Sequence, residues 1–214
     1  MTNKLLIGVT ALCLAAPAVA ETVVIAALGD SLTQGFGLPP EDAFVPELQR
    51  WLDAGGADVR IINAGVSGDT TAGGLARVGW TLTPEVDALI VALGGNDLLR
   101  GLDPALSRRN IEGILQVASE AGVATMVVGM NAPGNYGPEF KDAFDAIFPD
   151  LAEAYGSVYY PNFLAPIEAQ DDRDQALAQL MQADRIHPNA TGVDMIVEAM
   201  GPSVLELIAA AQNE

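Results

Sequence analysis

The feature that most constrains this chain is a series of short, uninterrupted apolar runs that end at glycine or a polar residue. Residues 23–28 (VVIAAL) and 88–93 (ALIVAL) are the clearest runs, and Gly29 and Gly94 follow them directly. A strand that is covered on both faces of a sheet has this continuous apolar pattern, because neither set of side chains meets water. The runs therefore predict buried strands of a parallel sheet. Weaker patterns predict further strands over residues 59–63, 124–130 and 157–160.

Helical patterns separate these runs along the chain. Pro46 fits the pattern that surrounds it only in the first turn of a helix, because proline lacks an N–H. Asp103 is a capping residue directly before Pro104, which is favoured at a first helical position. Helices are predicted over residues 41–54, over 104–121, over 138–155 with a break or bend at Pro149, and from about residue 189 with a kink at 201–202.

Strands that alternate with helices predict an α/β fold, in which a mainly parallel sheet is covered by helices on both faces. Crossover connections in such sheets are right-handed, and ligands bind at the carboxyl ends of the strands. The polar residues of chemical interest in this chain follow strand candidates or lie in late loops. We therefore expect them to gather at one edge of the sheet.

The first 20 residues have the pattern of an export signal. Lys4 gives a positive start, residues 5–16 form an apolar stretch, and residues 18–20 (AVA) form a small-residue cleavage site. The apolar stretch is too short for a comfortable membrane span. We therefore predict a signal peptide over residues 1–20 and a single domain over 21–214, in a periplasmic or secreted protein without stable membrane insertion.

Composition argues against several partners and chemistries. The chain has 28 acidic and 10 basic residues and a net charge of −18, which repels phosphate backbones, so nucleic acid is not an expected partner. Its lone cysteine, Cys13, lies in the predicted signal, and His187 is its only histidine. Catalytic zinc usually needs more such ligands, and no P-loop or dinucleotide fingerprint is present. No metal and no cofactor are expected, although carboxylates could bind a hard cation.

Ser31 lies directly after the first predicted strand, in the sequence Gly-Asp-Ser-Leu at 29–32. Gly29 allows a sharp turn, which would place Ser31 at the mouth of the sheet near a helix start, where its backbone N–H is free to donate to an oxyanion. Aspartate and serine after a strand are also common turn and capping residues. Taken alone, this motif favours a structural turn.

His187 lies in a late motif, Asp-Arg-Ile-His-Pro-Asn at 184–189. Pro188 favours an extended conformation for the residue before it and keeps His187 out of the following helix. Asp184 can reach one ring nitrogen and hold the tautomer that leaves the other nitrogen free as a base, as a triad carboxylate does. The alternative is a histidine that packs on a helix N-terminus without a catalytic part.

Two glycine-containing segments could supply donors to an oxyanion. Gly94-Gly95-Asn96-Asp97 follows a predicted strand, and the Asn96 amide provides a directed N–H donor. Residues 63–70 (NAGVSGDT) contain Gly68, whose backbone N–H could be a further donor. Each segment taken alone also fits a plain turn or loop.

Together the four segments supply the nucleophile, base, orienting group and oxyanion donors that acyl transfer from an ester needs. In content and order they resemble the GDSL, or SGNH, hydrolase family over nearly the whole chain after residue 20. The resemblance implies that Ser31 is the nucleophile of a triad with His187 and Asp184, and that Gly68 and Asn96 join the Ser31 N–H in an oxyanion hole. It also implies the family's flavodoxin-like fold, a three-layer α/β/α sandwich around a five-stranded parallel sheet.

Finer motifs at residues 67–77, 93–97 and 135–137 resemble the branch of that family with periplasmic thioesterases, lysophospholipases and arylesterases. This implies a small-molecule ester or thioester substrate, an acyl-enzyme intermediate and no cofactor. The loop at 131–134 departs from the branch, whose thioesterases tend to have a bulkier apolar residue there. The residues expected to border the acyl site are Asn131, Pro133 and Tyr136.

Two alternative functions remain open from the sequence. A carbohydrate O-deacetylase would use the same machinery with a short pocket lined by aromatic side chains. A non-catalytic exported binding module on the same fold is the alternative from another class, although the intact serine, asparagine, aspartate and histidine argue against it. A monomer is expected, because no long apolar surface stripe stands out. The aromatic candidates for a sugar pocket are Phe36, Tyr136, Tyr159 and Phe163.

Overall fold

The computed structural model of the protein describes residues 22–213 and contains a five-stranded parallel sheet. The strands, numbered along the chain, lie side by side in the order β2-β1-β3-β4-β5, and every neighbouring pair is parallel. The α/β fold class and the strand count are therefore confirmed. The strands are β1 Val23–Gly29, β2 Val59–Gly65, β3 Ala88–Ala92, β4 Ala124–Val128 and β5 Val158–Tyr160.

Helices follow the strands and cover the sheet, with short 3₁₀ turns over Pro40–Asp42 and Gly134–Tyr136. The sequence patterns did not anticipate helices α3, α4, α8 and α9. The α-helices are α1 Ser31–Gln34, α2 Phe44–Ala54, α3 Thr71–Thr81, α4 Gly95–Leu99, α5 Pro104–Glu120, α6 Pro138–Asp145, α7 Ile147–Tyr155, α8 Ala165–Glu168, α9 Arg173–Leu180 and α10 Ala190–Ala211.

The interior strand β1, which lies between β2 and β3, is buried along its whole length because both faces of the sheet are covered. Ile25 and Ala27 point into an apolar cluster shared with α2 and α10, whereas Ala26 and Leu28 point into a second cluster shared with α3, α5 and α7. This arrangement forms three layers, helices on sheet on helices. It explains why the strand has no polar alternation in the sequence.

Pro149 does not break a helix where the sequence predicted. The interruption lies at Ala146, between α6 and α7, and Pro149 is the third residue of α7. A proline in the first turn of a helix needs no hydrogen bond from its nitrogen, so Pro149 fits the beginning of α7. Pro46 occupies the corresponding position in α2, as predicted.

The last helix begins as predicted and then continues through Pro202. The Asn189 side chain caps α10 by accepting the N–H of Gly192 at 3.1 Å. Gly201 is needed for packing, because a Cβ at this position would meet the Trp51 ring. No helix within residues 22–213 has the length and apolarity to cross a membrane. The predicted signal peptide, residues 1–20, lies outside the described residues.

Candidate active site

Ser31 is the first residue of α1, directly beyond the carboxyl end of β1. Asp30 caps this short helix, because its Oδ1 accepts the backbone N–H of Leu32 at 3.0 Å. Gly29 is required at the turn, since a Cβ there would overlap the Thr33 side chain. The capping function that the sequence offered as an alternative therefore belongs to Asp30, and the Ser31 hydroxyl is left for another partner.

That partner is the ring of His187. The His187 Nε2 and Ser31 Oγ atoms lie 2.9 Å apart, although 156 residues separate them in the sequence. The other ring nitrogen, Nδ1, lies 2.6 Å from Asp184 Oδ2. With a proton on Nδ1, the ring donates to the carboxylate and accepts the Ser31 hydroxyl proton at Nε2. The structure thus brings the three predicted residues into one hydrogen-bonded chain.

The loop that carries His187 is tied closed at its base rather than built on a strand. Met181 and Pro188 form an isolated antiparallel bridge, and the Gln182 N–H donates to the His187 carbonyl at 2.8 Å. The Gln182 side chain also donates to the carbonyls of Phe36 and Pro188, at 2.8 and 3.0 Å. Backbone and side-chain hydrogen bonds therefore fix the position of the imidazole.

The tight turn inside this loop contains a strained residue. Arg185 has a φ of 58°, and it is the only non-glycine residue with positive φ within residues 22–213. A left-handed conformation costs an L-residue about 1–2 kcal/mol. The turn is held by Asp184 Oδ1, which accepts the N–H groups of Ile186 and His187 at 2.9 and 3.1 Å. Local strain is thus concentrated between Asp184 and His187.

Asp184 is held in its ionised form. Desolvation acts to raise its pKa, but hydrogen bonds from the His187 ring and from the backbone N–H groups of Ile186 and His187, with the charge of His187, lower the pKa of Asp184 to about 2. An ionised carboxylate beside Nδ1 favours a proton on that nitrogen. The electrostatics therefore support the tautomer in which Nε2 is the base.

Asn96 lies in α4, directly beyond β3, and shares the cavity with Ser31. Its Nδ2 donates to Asp30 Oδ2 at 3.1 Å, and its second N–H remains for an acceptor in the cavity. Asp30 itself is only 2% exposed. Desolvation raises the pKa of Asp30 to about 6, and hydrogen bonds from Leu32 and Asn96 and the charge of His187 only partly oppose it.

Gly68 also lines this cavity, in the loop between β2 and α3. Its φ of +84° favours glycine, and its carbonyl accepts a hydrogen bond from Arg100 at 2.8 Å. Neither its N–H nor that of Ser31 donates to a group within residues 22–213. Both N–H groups are therefore available to an oxyanion.

Sequence reasoning missed the residues that hold these segments together. Arg77 donates to the carbonyls of Ala64 and Gly29, at 2.7 and 2.8 Å, and to the Asp69 carboxylate at 2.6 Å. It therefore ties the end of β1 to the loop before α3. Asp30, which holds the Asn96 amide, was also missed. Its position could have indicated its importance, since an acidic residue between a buried strand and the serine must lose water.

The cavity around Ser31 and His187 has a volume of about 380 Å³. Asn131 lines it, as predicted for the substrate loop, whereas Pro133 lines a neighbouring cleft instead. Tyr136 lines neither space. It is 42% exposed, and its ring lies 4.8 Å from that of Phe140. The structure therefore places Tyr136 outside both spaces, with its ring against Phe140 of α6.

Aromatic side chains contribute little to this cavity. Of the four candidates for stacking on a sugar, only Phe36 lines the cavity, and its ring lies 4.7 Å from the His187 ring. Leu32, Leu98 and Leu99 give the wall an aliphatic character. Within residues 22–213, no group of three or more His, Cys, Asp or Glu residues is arranged to hold a metal ion.

Comparison with known proteins finds one family model and several relatives that match most of the chain. The model of the GDSL-like Lipase/Acylhydrolase family matches residues 27–195. Esterase TesA of Pseudomonas aeruginosa is 36% identical over 210 residues, which cover 97% of this chain and 100% of the relative. Thioesterase 1/protease 1/lysophospholipase L1 of Escherichia coli is 32% identical over 193 residues, which cover 89% of this chain and 86% of the relative.

A solved structure gives the same result for the fold. The crystal structure of AlinE4, an SGNH-hydrolase family esterase, superposes with a TM-score of 0.71 at 41% identity. The match covers 88% of this chain and 98% of that chain. The likeness therefore extends over most of this chain and nearly all of that one.

Proposed function

Because the chain belongs to the GDSL-like lipase/acylhydrolase family, we propose that it hydrolyses carboxylic esters and thioesters through a Ser31–His187–Asp184 triad and an acyl-enzyme. The chain is a serine carboxylic ester hydrolase. The observation that carries the finer proposal is the continuous hydrogen-bonded chain from Ser31 Oγ through the imidazole to Asp184, at 2.9 and 2.6 Å.

The reaction begins when His187 Nε2 accepts the Ser31 hydroxyl proton as Oγ attacks the acyl carbonyl carbon. Asp184 holds the Nδ1 proton and stabilises the imidazolium that forms. The bond from Oγ to the carbonyl carbon forms while the carbonyl π electrons move to its oxygen. The product of this step is a tetrahedral intermediate with a negative oxygen.

Three donors face that oxygen in the proposed oxyanion hole. They are the backbone N–H groups of Ser31 and Gly68 and the second N–H of the Asn96 amide. The first two have no acceptor among the described residues, and all three residues line the same cavity. Donors fixed in advance need no reorganisation when charge develops, so they stabilise the transition state more than water does.

His187 then donates its Nε2 proton to the leaving oxygen or sulfur, and the acyl group remains on Ser31. Water attacks this acyl-enzyme by the same path, with His187 again accepting the proton, and releases a carboxylic acid and free Ser31. Each proton taken by His187 is returned within the cycle. No external oxidant, metal or cofactor is needed.

Asp30 holds the Asn96 amide in the orientation that the oxyanion hole needs. Its carboxylate is acceptor-only when ionised, so only an N–H of Asn96 can face it. The second N–H of the planar amide is thereby fixed as well. Asp30 is a positioning residue in this proposal, since it acts on the reacting atoms through Asn96.

The substrate class follows from the cavity wall. Aliphatic side chains around the serine suit an acyl chain or an aryl leaving group, in keeping with an arylesterase, acyl-CoA thioesterase or lysophospholipase activity. The relatives named above support the ester and thioester classes. An O-deacetylase for sugars is less well supported, because Phe36 alone of the aromatic candidates reaches the cavity.

The acyl-enzyme can be tested directly. Rapid acid quenching during turnover of p-nitrophenyl acetate, followed by peptide mass spectrometry, should find one acetyl group on the peptide that contains Ser31. Ser31→Ala should lose both the adduct and turnover, whereas Ser119→Ala, an exposed serine on α5, should retain both. Wild-type turnover by Ser31→Ala would refute the proposal.

We also propose that residues 1–20 are an export signal whose removal leaves a single-domain, monomeric enzyme that begins at Glu21. Expression in a Gram-negative host, followed by fractionation and intact-mass measurement, should find the protein in the periplasm or medium with Glu21 as its first residue. A cytoplasmic protein that retains Met1 would contradict the export proposal. Size-exclusion chromatography with light scattering tests the monomer.

A further inference from the structure

Of the three proposed oxyanion donors, the Gly68 N–H has the least support from the secondary structure. Ser31 and Asn96 lie in the first turns of helices that follow the buried strands β1 and β3. Gly68 instead lies three residues beyond the end of β2, and residues 66–68 are exposed. We call residues 66–69 the Gly68 loop. A donor in an exposed loop needs contacts of its own to stay near the serine.

The guanidinium of Arg77, on α3, ties the Gly68 loop to the end of β1. Its Nε donates to Asp69 Oδ2 at 2.6 Å, and its two terminal nitrogens donate to the carbonyls of Ala64 and Gly29 at 2.7 and 2.8 Å. The Gly29 carbonyl also accepts the N–H of Val66 at 3.0 Å. Because the guanidinium is planar and rigid, these bonds fix both ends of the loop against the turn that carries the serine.

A glycine on α3 makes room for this ion pair. Arg77 lies four residues after Gly73, so the two residues share one face of the helix. A Cβ at Gly73 would overlap the Asp69 carboxylate, so glycine lets that carboxylate lie close against the helix. The Arg77 and Asp69 side chains are only 22% and 18% exposed. Water and salt therefore weaken this pair less than they weaken an exposed ion pair.

A second arginine holds the Gly68 loop from the side of Asn96. Arg100 follows the last turn of α4, the helix that carries Asn96, and its guanidinium donates to the Gly68 carbonyl at 2.8 Å. Arg100 is exposed, so its contact is expected to be weaker than those of Arg77. The two arginines together connect the Gly68 loop to the segments that carry both other donors.

From these contacts we propose that Arg77 and Arg100 hold the Gly68 N–H at the spacing from the other two donors that an oxyanion needs. Both arginines are positioning residues, since Gly68 lines the active-site cavity and the two guanidinium groups act on it through the loop. The inference rests on the proposed function, because the oxyanion forms only when Ser31 attacks an ester.

The experiment compares Arg77→Lys and Arg100→Met with the wild type in the hydrolysis of p-nitrophenyl acetate. The lysine can still pair with Asp69, but its single ammonium group cannot also reach both carbonyls. Loss of one oxyanion donor costs about 10²–10³ in kcat, and a donor that is only displaced should cost less, about 5- to 50-fold in each variant. KM should stay within about threefold of the wild-type value, because acylation and deacylation both pass through an oxyanion and slow together.

A pair of inhibitors separates the positioning of a donor from general damage to the site. Trifluoromethyl butyl ketone adds to the serine and forms an oxyanion, whereas the alcohol obtained by its reduction has a similar shape and cannot add. In both variants, the Ki of the ketone should rise by the factor by which kcat falls, and the Ki of the alcohol should not change. A site that was merely deformed would lose affinity for both inhibitors.

The two arginines should also act on the same donor. The double variant Arg77→Lys/Arg100→Met should therefore lower kcat by less than the product of the two single losses, because one N–H can be displaced only once. Losses that multiplied would contradict a shared donor.

The matched control is Arg60→Met, near the amino end of β2, which removes an ion pair with Glu85 that measures 2.8 Å. It should keep the wild-type kcat and ketone Ki. Unchanged kcat and ketone Ki in Arg77→Lys and Arg100→Met, or equal changes for both inhibitors, would overturn the inference. If Arg77→Lys fails to fold, the exposed Arg100→Met decides alone. Absence of Ser31-dependent hydrolysis in the wild type would instead overturn the proposed function.

Discussion

The proposed nucleophile and the proposed base of this site are held in place by different kinds of contact. Ser31 and Asn96 lie just beyond the carboxyl ends of β1 and β3, two strands that are buried along their length. His187 and Asp184 belong to a partly exposed loop that is closed by the Met181–Pro188 bridge. Burial and sheet register therefore fix the first pair, whereas hydrogen bonds at a turn fix the second.

The two carboxylates of the site, Asp30 and Asp184, also differ in their surroundings, and their pKa values shift in opposite directions. Asp30 lies under the serine, and its desolvation raises its pKa to about 6, whereas hydrogen bonds lower the pKa of the half-exposed Asp184 to about 2. Burial without a full counter-charge disfavours ionisation, and donors at a turn favour it. Neighbours of one active site thus respond to acid in opposite directions.

The largest expected effect comes from removing either the Ser31 hydroxyl or the His187 ring. Ser31→Ala and His187→Ala should each lower kcat by roughly 10⁴–10⁶, since removal of one member of a catalytic unit disables the rest. The double variant should be hardly worse than either single variant. Steady-state kinetics with p-nitrophenyl acetate measures this, and losses that multiplied would show that the residues act independently.

The residues beside Ser31 can be changed while all three triad residues are kept. Asn96→Ala should lower kcat by about 10²–10³, because one oxyanion donor is lost. Asp30→Asn should lower kcat by about tenfold, since its new NH₂ must face a donor at Leu32 or at Asn96, and either arrangement weakens the hold on the Asn96 amide. The effect should vanish in the Asn96→Ala background, where no amide remains to be oriented.

A matched control for Asp30 lies one residue beyond Asn96. Asp97 is also a buried carboxylate, but it accepts hydrogen bonds from Thr71 and Ser107 and does not hold the Asn96 amide. Asp97→Asn should act mainly on stability, and any loss of kcat should add to that of Asn96→Ala. Additive losses for Asp30→Asn and Asn96→Ala would contradict the positioning role of Asp30.

The contrast between the carboxylates should also appear in stability. Because the pKa of Asp30 is raised from 3.8 to about 6, the folded state binds its proton more tightly than the unfolded state does. Its contribution to the free energy of unfolding should therefore fall by up to about 3 kcal/mol as pH rises from about 4 to 6. Asp30→Asn should remove this slope in urea titrations at pH 4 and pH 7.

Asp184→Asn provides the opposite case for that measurement. The pKa of Asp184 is lowered, so its stabilisation is present above about pH 4 and is lost only as pH falls towards 2. Between pH 4 and pH 7 the Asp184 carboxylate stays ionised, so Asp184→Asn should leave in place the slope that Asp30 contributes. A slope that survived in Asp30→Asn and disappeared in Asp184→Asn would reverse the assignment of the two groups.

The smallest expected effect tests strain in the histidine loop. Asparagine tolerates positive φ better than arginine does, so Arg185→Asn should raise the free energy of unfolding by about 0.5–1 kcal/mol. Arg173→Asn, at an exposed position of α9 with ordinary φ, should change it by less than about 0.5 kcal/mol. Equal changes in both variants would mean that the turn at Arg185 stores no strain.

The sequence predicts the sheet well because continuous apolar runs have few other uses. It also points to Ser31 and His187 as candidate partners, but only when the four polar segments are taken together, since each motif alone also fits a turn or a cap. The distance between these two residues, 2.9 Å, depends on the loop closure by Gln182, which no local pattern indicates. Pairing across 156 residues is decided by tertiary contacts.

The details that the sequence did not predict arise from competition between neighbours. Tyr136 packs beside Phe140 instead of facing the substrate, because a ring on a nearby helix offers more contact than an open loop. The interruption at Ala146 precedes Pro149, which suits the first turn of a new helix better than the end of an old one. Helices α8 and α9 have only four and eight residues, too few to show a clear periodicity in the sequence.

The contacts that close the histidine loop affect how the enzyme responds to warming or mild urea. The Met181–Pro188 bridge and the Gln182 hydrogen bonds can open while the five strands stay paired, because local openings of a loop cost less than global unfolding. Turnover is then expected to disappear before the circular dichroism of the sheet changes, and to return on cooling. Resistance to inactivation would be improved at this loop sooner than in the core.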